Sequence, residues 1–257
     1  VLDLDEYQKL LKNNPKMLAL THMSNVLGTI NPLKEIIRDA KSIGAVTLVD
    51  GAQSVPHFSV DVVDLEADFY AFSAHKMCGP TGIGALYGKK DLLEKMPPFL
   101  GGGEMIKRVD LRSFKANDLP HKFEAGTPAI AEAVGFGAAV DYLLELGMDK
   151  IEDHERQLTN YAMEKLAEIP DLTVLGPPAE EKGGVIAFYL KDIHAHDVAQ
   201  IMDGSGVAIR AGHHCAQPLH TKFNLPATGR ASMYLYNTLD EVDRFIDGIQ
   251  KVKDIFG

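Results

Sequence analysis

Cys215 closes a run of residues that could activate a thiol, Arg210-Ala-Gly-His-His-Cys215. Nearby cations lower the pKa of a thiol and favour the nucleophilic thiolate, and Arg210, His213 and His214 could each supply such a field. The run follows a short predicted strand, so we expect the thiol on an exposed loop. Gly212 would permit a backbone turn that a Cβ obstructs. By composition alone, a buried cysteine in a polar loop is an equally good interpretation.

Zinc binding is a further alternative for this run, because His213, His214 and Cys215 are all metal-ligand types. Three adjacent residues cannot readily converge on one tetrahedral ion, and zinc ligands are normally separated by gaps in the sequence. We therefore expect no resident metal. Cys78 is the other cysteine of the chain, and we predict a structural role for it, with a redox role as the less favoured alternative. Two cysteines make no disulfide framework.

A second group of chemical residues follows two predicted strands. Asp50 and Gln53 come after one strand, and Ser73, His75 and Lys76 come after the next. Since ligands gather at the carboxyl ends of strands in an open α/β sheet, both groups should face one pocket. Pyridoxal chemistry needs an aspartate for the pyridinium nitrogen and a lysine for the Schiff base, and this pair supplies both. Taken singly, a turn aspartate and a solvated lysine are the simpler interpretations.

These motifs carry a family resemblance. The Ser-x-His-Lys run with Asp50 resembles the class V aminotransferase group of fold-type I pyridoxal phosphate (PLP) enzymes, and Arg210 to Cys215 resembles the SufS-type, group II cysteine desulfurases. The likeness covers essentially the whole chain, including Phe123 to Pro128 and Arg230 to Ser232. The first residue is Val1 rather than Met, and it leads directly into a helical pattern. We therefore expect that the chain resembles the C-terminal portion of such an enzyme.

The resemblance implies roles for the site residues. Lys76 would form the Schiff base and, with His75 and Cys215, would be catalytic. Arg230 would clamp the substrate carboxylate, with Arg210 beside the reacting sulfur. The residues that would bind the cofactor are Asn25, Asp50 (ring nitrogen), Gln53 (ring hydroxyl), Ser73 and His75 (phosphate), Lys76, and Thr127 (phosphate of the partner subunit in a homodimer).

The implied activity is conversion of L-cysteine to L-alanine, with a persulfide on Cys215 that passes to a SufU- or SufE-type acceptor for iron-sulfur cluster assembly. His196 begins a predicted helix and would take zinc from a zinc-containing acceptor, unless it is a helix residue with no special role. Selenocysteine lyase and another class V aminotransferase or lyase stay open. So does an inactive fragment that serves only as a folded dimerisation module.

The resemblance also predicts weak cofactor binding. In relatives, the side chain that stacks on the cofactor ring and the Gly/Thr loop that receives its phosphate lie upstream of the position of Val1. We therefore expect weak or absent PLP binding by the chain as it stands.

Composition narrows the class of protein. The chain has 257 residues, 46% of them hydrophobic and 24% charged, which is typical of a folded globular protein. A formal net charge of -10 disfavours nucleic acid as a partner. Apolar runs are too short to cross a bilayer, and no leader opens the chain, so we expect a cytoplasmic protein.

Strands alternate with helices in the first part of the chain, and this predicts an α/β fold. We expect residues 1–143 to form part of a large cofactor-binding domain with a mostly parallel sheet. Residues 144–257 should form a small α+β domain that carries the Cys215 loop. Strands are predicted near 17–21, 45–49, 69–72, 83–87, 172–175, 185–190, 207–210 and 231–234. Helices are predicted near 5–12, 32–43, 130–146 and 196–202, together with a long helix that ends near 169 and a last helix that begins at 240.

Overall fold

The structure is a computed structural model that describes residues 1–256. Within that range the α-helices are α1 (Leu4–Leu11), α2 (Leu33–Ser42), α3 (Lys90–Lys95), α4 (Ile130–Leu146), α5 (Met148–Ala167), α6 (Ala195–Asp203), α7 (Gln217–Phe223) and α8 (Leu239–Phe256). The strands are β1 (Met17–Thr21), β2 (Val46–Asp50), β3 (Phe69–Ser73), β4 (Gly84–Gly88), β5 (Ile106–Asp110), β6 (Ser113–Ala116), β7 (Leu172–Leu175), β8 (Val185–Leu190), β9 (Arg210–Gly212) and β10 (Thr228–Ser232).

The first sheet has the strand order β1-β2-β3-β4. Strands β1, β2 and β3 are parallel, as predicted, and β4 returns antiparallel to β3. Buried Val49 and Tyr70 pack with Leu33 and Ile37 of α2, so the helix covers one face of this sheet. The sheet is therefore mostly parallel, and it aligns the carboxyl ends of β2 and β3 at one edge.

The second sheet is antiparallel throughout, in the order β7-β8-β10-β9. Its central strand β8 is almost entirely buried because α5, α6 and α8 pack over it. Phe188 of β8 meets Phe245 of α8 edge to face, with ring centroids 5.6 Å apart. Burying one such side chain contributes roughly 1.5–3 kcal/mol, so this core is a stable base for the loop after β9.

A third apolar cluster joins the two sheets. Met77 follows β3, Leu143 and Ile151 lie on α4 and α5, and Tyr234 follows β10, and all four are buried together. Across residues 1–256, no helix has both the length and the apolar character needed to span a membrane.

Several sequence-based expectations are wrong in detail. Pro32 caps α2 instead of occupying its first turn. The strand predicted over 207–210 begins only at Arg210, and the one predicted over 231–234 is shifted to β10, because Thr228 pairs with Gly212. The polar stretch after Gly103 contains the β5–β6 hairpin, which was not predicted.

Helix α4 is exposed along much of its length. Although its sequence is rich in small residues, only Ala139 and Leu143 are buried. Ile130, Val134 and Leu144 are each more than 60% exposed.

Candidate active site

The carboxyl ends of β2 and β3 bring the first group of site residues together. Asp50 pairs with Ala71 across the two parallel strands, and Ser73 ends β3. Lys76 follows in a short 3-10 turn, Ala74–Lys76. Asp50 is exposed and accepts a hydrogen bond from the backbone N–H of Ala52 at 2.9 Å, so its carboxylate is held at the sheet edge.

Ser73 and its neighbours differ in their exposure. The hydroxyl oxygen of Ser73 is buried and has no hydrogen-bond partner among the described residues. Lys76 and Gln53 are half-buried, whereas His75 is exposed. A buried hydroxyl without a partner is costly, and at this edge it is a donor available to a bound group.

A buried hydrogen-bond chain that the sequence did not reveal supports this edge. His22 donates from Nδ1 to the hydroxyl of Tyr70 at 2.8 Å, Tyr70 donates to Ser54 at 2.6 Å, and Ser54 donates to the carbonyl of Gly51 at 3.1 Å. Burial raises the pKa of Tyr70 to about 12 and lowers the pKa of His22 to about 4, so both are neutral near pH 7. The chain fixes the turn that follows Asp50.

Cys215 lies on an exposed loop between β9 and α7, as expected. The Nη2 of Arg210 donates a hydrogen bond to the Cys215 sulfur, and the two atoms are 3.5 Å apart. The predicted backbone turn is present, since Gly212 has a φ of 124°. His214 and Cys215 also have positive φ values, 52° and 62°, which non-glycine residues rarely adopt. The loop therefore holds the thiol in a strained backbone conformation.

His214 does not supply the cationic field that we expected. It is only 1% exposed, and burial, together with the nearby charge of Arg230, lowers its pKa to about 4. The His214 imidazole is neutral near pH 7, and the side-chain cation that contacts the thiol is Arg210. Burial and the nearby charge of Arg210 lower the pKa of Arg230, which pairs with Arg210 across β10 and β9.

Asn25 links the first sheet region to the Cys215 loop. Its side-chain Nδ2 donates to the carbonyl of His214 at 2.7 Å, and its own carbonyl accepts from Arg230 at 2.9 Å. The Nε of Arg230 is buried without a partner among residues 1–256. Residues almost two hundred positions apart in the chain, Asn25 and His214, thus meet in one site.

Other predicted residues lie apart from these contacts. Thr127 is exposed in the segment before α4. His196 is exposed in the first turn of α6, with its ring centroid 5.0 Å from that of His194. Cys78 is exposed rather than part of a packed core, and its sulfur lies 3.9 Å from the hydroxyl of Tyr234.

Comparison with curated proteins finds relatives that share about half of their aligned residues with this chain. The chain is 52% identical over 257 residues to a "Probable cysteine desulfurase" of Streptomyces coelicolor, covering 100% of the chain and 62% of that protein. It is 51% identical over 255 residues to a "Cysteine desulfurase" of Haloferax volcanii, covering 99% of the chain and 60% of that protein. The chain therefore spans about three fifths of the length of these relatives.

Solved structures agree with the fold. The Escherichia coli cysteine desulfurase CsdA, in an S-sulfonic acid form, matches with a TM-score of 0.94 at 39% identity, over 98% of this chain and 63% of that one. An apo cysteine desulfurase of Thermococcus onnurineus also gives 0.94, at 40% identity, over 98% and 64%. The fold-type I class predicted from the sequence is confirmed. The family model for aminotransferase class-V matches residues 1–245, and the chain belongs to this family.

Proposed function

We propose that this chain contributes the reacting residues of a PLP-dependent cysteine desulfurase, which converts L-cysteine to L-alanine and carries the sulfur as a persulfide on Cys215. The observation that carries the proposal is the exposed Cys215 thiol, 3.5 Å from the Arg210 guanidinium. Relatives about 50% identical bear the name of this activity.

The residues at the edge of the first sheet fit PLP. Ser73 offers a buried hydroxyl without a partner among the described residues, which suits a phosphate oxygen. Asp50 presents an exposed carboxylate at the neighbouring strand end, and half-buried Lys76 follows within one turn. The full proposed set that holds the cofactor is Asn25, Asp50, Gln53, Ser73, His75, Lys76 and Thr127.

When bound, PLP supplies an electron sink for the charge that develops at the substrate Cα. The carboxylate of Asp50 holds a proton at the ring nitrogen, and the amine of Lys76 moves the Cα proton. Arg230 binds the substrate carboxylate, because a guanidinium makes bidentate contacts with a carboxylate. Its unpartnered Nε is a buried donor available for that purpose.

Cys215 performs the sulfur transfer. Its thiolate attacks the substrate sulfur, an S–S bond forms, and the Cβ–S bond breaks. The carbon fragment takes up the protons and leaves as alanine. The balance is L-cysteine plus enzyme thiol to L-alanine plus enzyme persulfide, so no external oxidant or reductant is required. Arg210 stabilises the thiolate that starts this step.

We also propose a SufU- or SufE-type acceptor protein, with iron-sulfur cluster assembly as the destination of the sulfur. The exposure of Cys215 supports transfer to another protein. His196 is exposed on α6, which packs against β9 ahead of the Cys215 loop, so an acceptor docked at this loop could reach it. Transient acceptance of zinc from the acceptor is the role we propose for His196.

A homodimer is the proposed assembly. Large apolar side chains are exposed on α4 and on the β5–β6 hairpin, among them Ile130, Val134, Val109 and Phe114, each more than 50% exposed. An exposed apolar surface of this kind favours burial against another subunit. Thr127 lies in the segment between these two elements, which suits its proposed contact with the phosphate of the partner subunit.

The test measures alanine formed from L-cysteine by the chain, with excess PLP and a thiol reductant. Turnover should be abolished in Cys215→Ala and retained in Cys78→Ala, since both cysteines are exposed but Cys215 is the one that contacts Arg210. Full turnover of cysteine by Cys215→Ala would overturn the assignment of Cys215 and favour another class V lyase. No alanine from a chain whose absorbance reports bound cofactor would overturn the activity itself.

A further inference from the structure

A second hydrogen-bond chain lies directly behind Cys215. His220 Nδ1 lies 3.1 Å from the carbonyl of Ala216, and a carbonyl can only accept, so this nitrogen carries the proton. With His220 as a neutral imidazole, its Nε2 accepts from the hydroxyl of Thr228 at 3.0 Å. The oxygen of Thr228 then accepts from His214 Nε2, 2.9 Å away.

The geometry thus determines the tautomers of both imidazoles. His220 is protonated at Nδ1, and His214 is protonated at Nε2. The Nδ1 of His214 is consequently a bare acceptor, and it is buried without a partner among residues 1–256. His214, His220 and Thr228 are each no more than 2% exposed, so water does not compete for these bonds. A protonated His214 would require a further partner at Nδ1, and its lowered pKa agrees with a neutral ring.

The backbone of His214 is anchored from the same strand. Thr228 and Arg230 are two residues apart on β10, so their side chains share one face of the strand. Thr228 holds the His214 ring, and Arg230 holds Asn25, which in turn binds the His214 carbonyl. Both ends of His214 are therefore tied to β10.

This anchoring matters because the loop is strained. His214 and Cys215 are consecutive non-glycine residues with φ values of 52° and 62°. Such conformations cost on the order of 1 kcal/mol each and persist only when surrounding contacts determine them. A loop held less firmly would relax and carry the Cys215 sulfur away from Arg210.

We propose that Thr228 and His220 are positioning residues for Cys215: the chain Ala216–His220–Thr228–His214 locks His214 as its neutral Nε2–H tautomer and thereby holds the thiol against Arg210. The role of Cys215 as the nucleophile rests on the proposed function. Neither residue contacts the sulfur, and each acts through His214.

The tautomers are tested first, in the wild-type chain without cofactor. Nitrogen chemical shifts of labelled histidine distinguish protonated from bare ring nitrogens. At pH 7.5 we expect His214 to be protonated at Nε2 only and His220 at Nδ1 only. The reverse assignment in either ring, or a doubly protonated His214, overturns the proposal.

The positioning role is tested by alkylation of Cys215 in a Cys78→Ser background, which removes the other exposed thiol. Thr228→Val keeps the shape of the side chain and deletes the hydroxyl, and Thr228→Ser is the matched control that keeps it. We expect Thr228→Val to slow alkylation at pH 7 by about three- to tenfold, because the thiolate loses its hydrogen bond from Arg210 when the loop relaxes. Thr228→Ser should restore the wild-type rate.

A wild-type alkylation rate in folded Thr228→Val overturns the proposal, and so does a rate in Thr228→Ser as slow as that in Thr228→Val. If Thr228→Val does not fold, His220→Gln, which removes the imidazole, is held to the same criterion. These measurements use neither PLP nor cysteine. A failure of the positioning chain is therefore separate from a failure of the desulfurase assay, in which the wild-type chain forms no alanine.

Discussion

The guanidinium of Arg210 lies 3.5 Å from the sulfur of Cys215, across a loop of only four intervening residues. The histidine immediately before that cysteine is buried and neutral, with a pKa lowered to about 4. The side-chain cation that contacts Cys215 is therefore Arg210. A charge-assisted hydrogen bond to a thiolate is stronger than one between neutral groups, so loss of Arg210 should be measurable in the reactivity of the thiol.

Replacing Arg210 should reduce the reactivity of Cys215. In a Cys78→Ser background, Arg210→Met should slow alkylation of Cys215 at pH 7 by about three- to tenfold, because the thiolate loses its charge-assisted hydrogen bond from the guanidinium. Arg210→Lys retains the charge and should lie between wild type and Arg210→Met. An alkylation rate in Arg210→Met equal to that of the wild type would show that Arg210 does not govern the thiol.

Two serines near the first sheet edge have buried hydroxyl groups, and removal of the hydroxyl should affect stability differently at the two positions. Ser54 bonds Tyr70 and Gly51, so Ser54→Ala should lower the free energy of unfolding by about 1–3 kcal/mol, since it leaves buried Tyr70 without its acceptor. The Ser73 hydroxyl has no partner among the described residues, so Ser73→Ala should be neutral within about 0.5 kcal/mol or slightly stabilising.

Urea unfolding measures both serine variants. The same Ser73→Ala protein should also bind PLP more weakly than wild type, because the hydroxyl is a proposed phosphate donor. Equal destabilisation by the two substitutions would show that the Ser73 hydroxyl stabilises the fold, and would contradict its proposed role as a donor to the cofactor phosphate.

The main elements of the first sheet were predictable because their patterns are local. Strand β1 was predicted over its observed range, and β2 to within one residue, since buried parallel strands are continuous apolar runs. The placement of Asp50 and Ser73 at the ends of neighbouring strands also followed from sheet geometry, as adjacent parallel strands end at one edge. The proximity of Arg210 to Cys215 followed from their spacing in a loop.

Long-range contacts were not predictable from those patterns. Asn25 meets the Cys215 loop only because the two sheets pack together, and periodicity carries no information about that packing. The charge of His214 was wrongly predicted for the same reason, because its lowered pKa comes chiefly from burial. His220 and Thr228 have no motif spacing, and their roles emerge only from hydrogen-bond geometry.

Acidification should destabilise the chain through His22. Its folded pKa of about 4 lies below its ordinary value of 6.5, so the unfolded chain binds the proton more readily between those values. The stabilisation is complete above about pH 6.5 and is lost as pH falls towards 4. We expect His22 to contribute roughly 1–2 kcal/mol to the loss between pH 7 and pH 5.

His22→Gln removes the titrating group. The difference in unfolding free energy between pH 7 and pH 5 should be smaller in this variant than in wild type, whatever its stability at pH 7. His121, which is exposed, provides the matched control, and His121→Gln should leave the pH dependence unchanged. Identical pH dependence in His22→Gln and wild type would contradict a buried neutral His22.

Cofactor binding provides a last prediction, because Lys76 is the proposed attachment point for PLP. The family resemblance predicts weak or absent binding by the 257-residue chain, so no absorbance band of the protonated Schiff base should grow except at a large excess of PLP. Lys76→Ala should abolish that band. Lys95→Ala should keep it, since Lys95 is an exposed lysine at the end of α3, away from the sheet edge. A band that saturates at equimolar PLP would refute the weak binding, and a band that persists in Lys76→Ala would refute the attachment point.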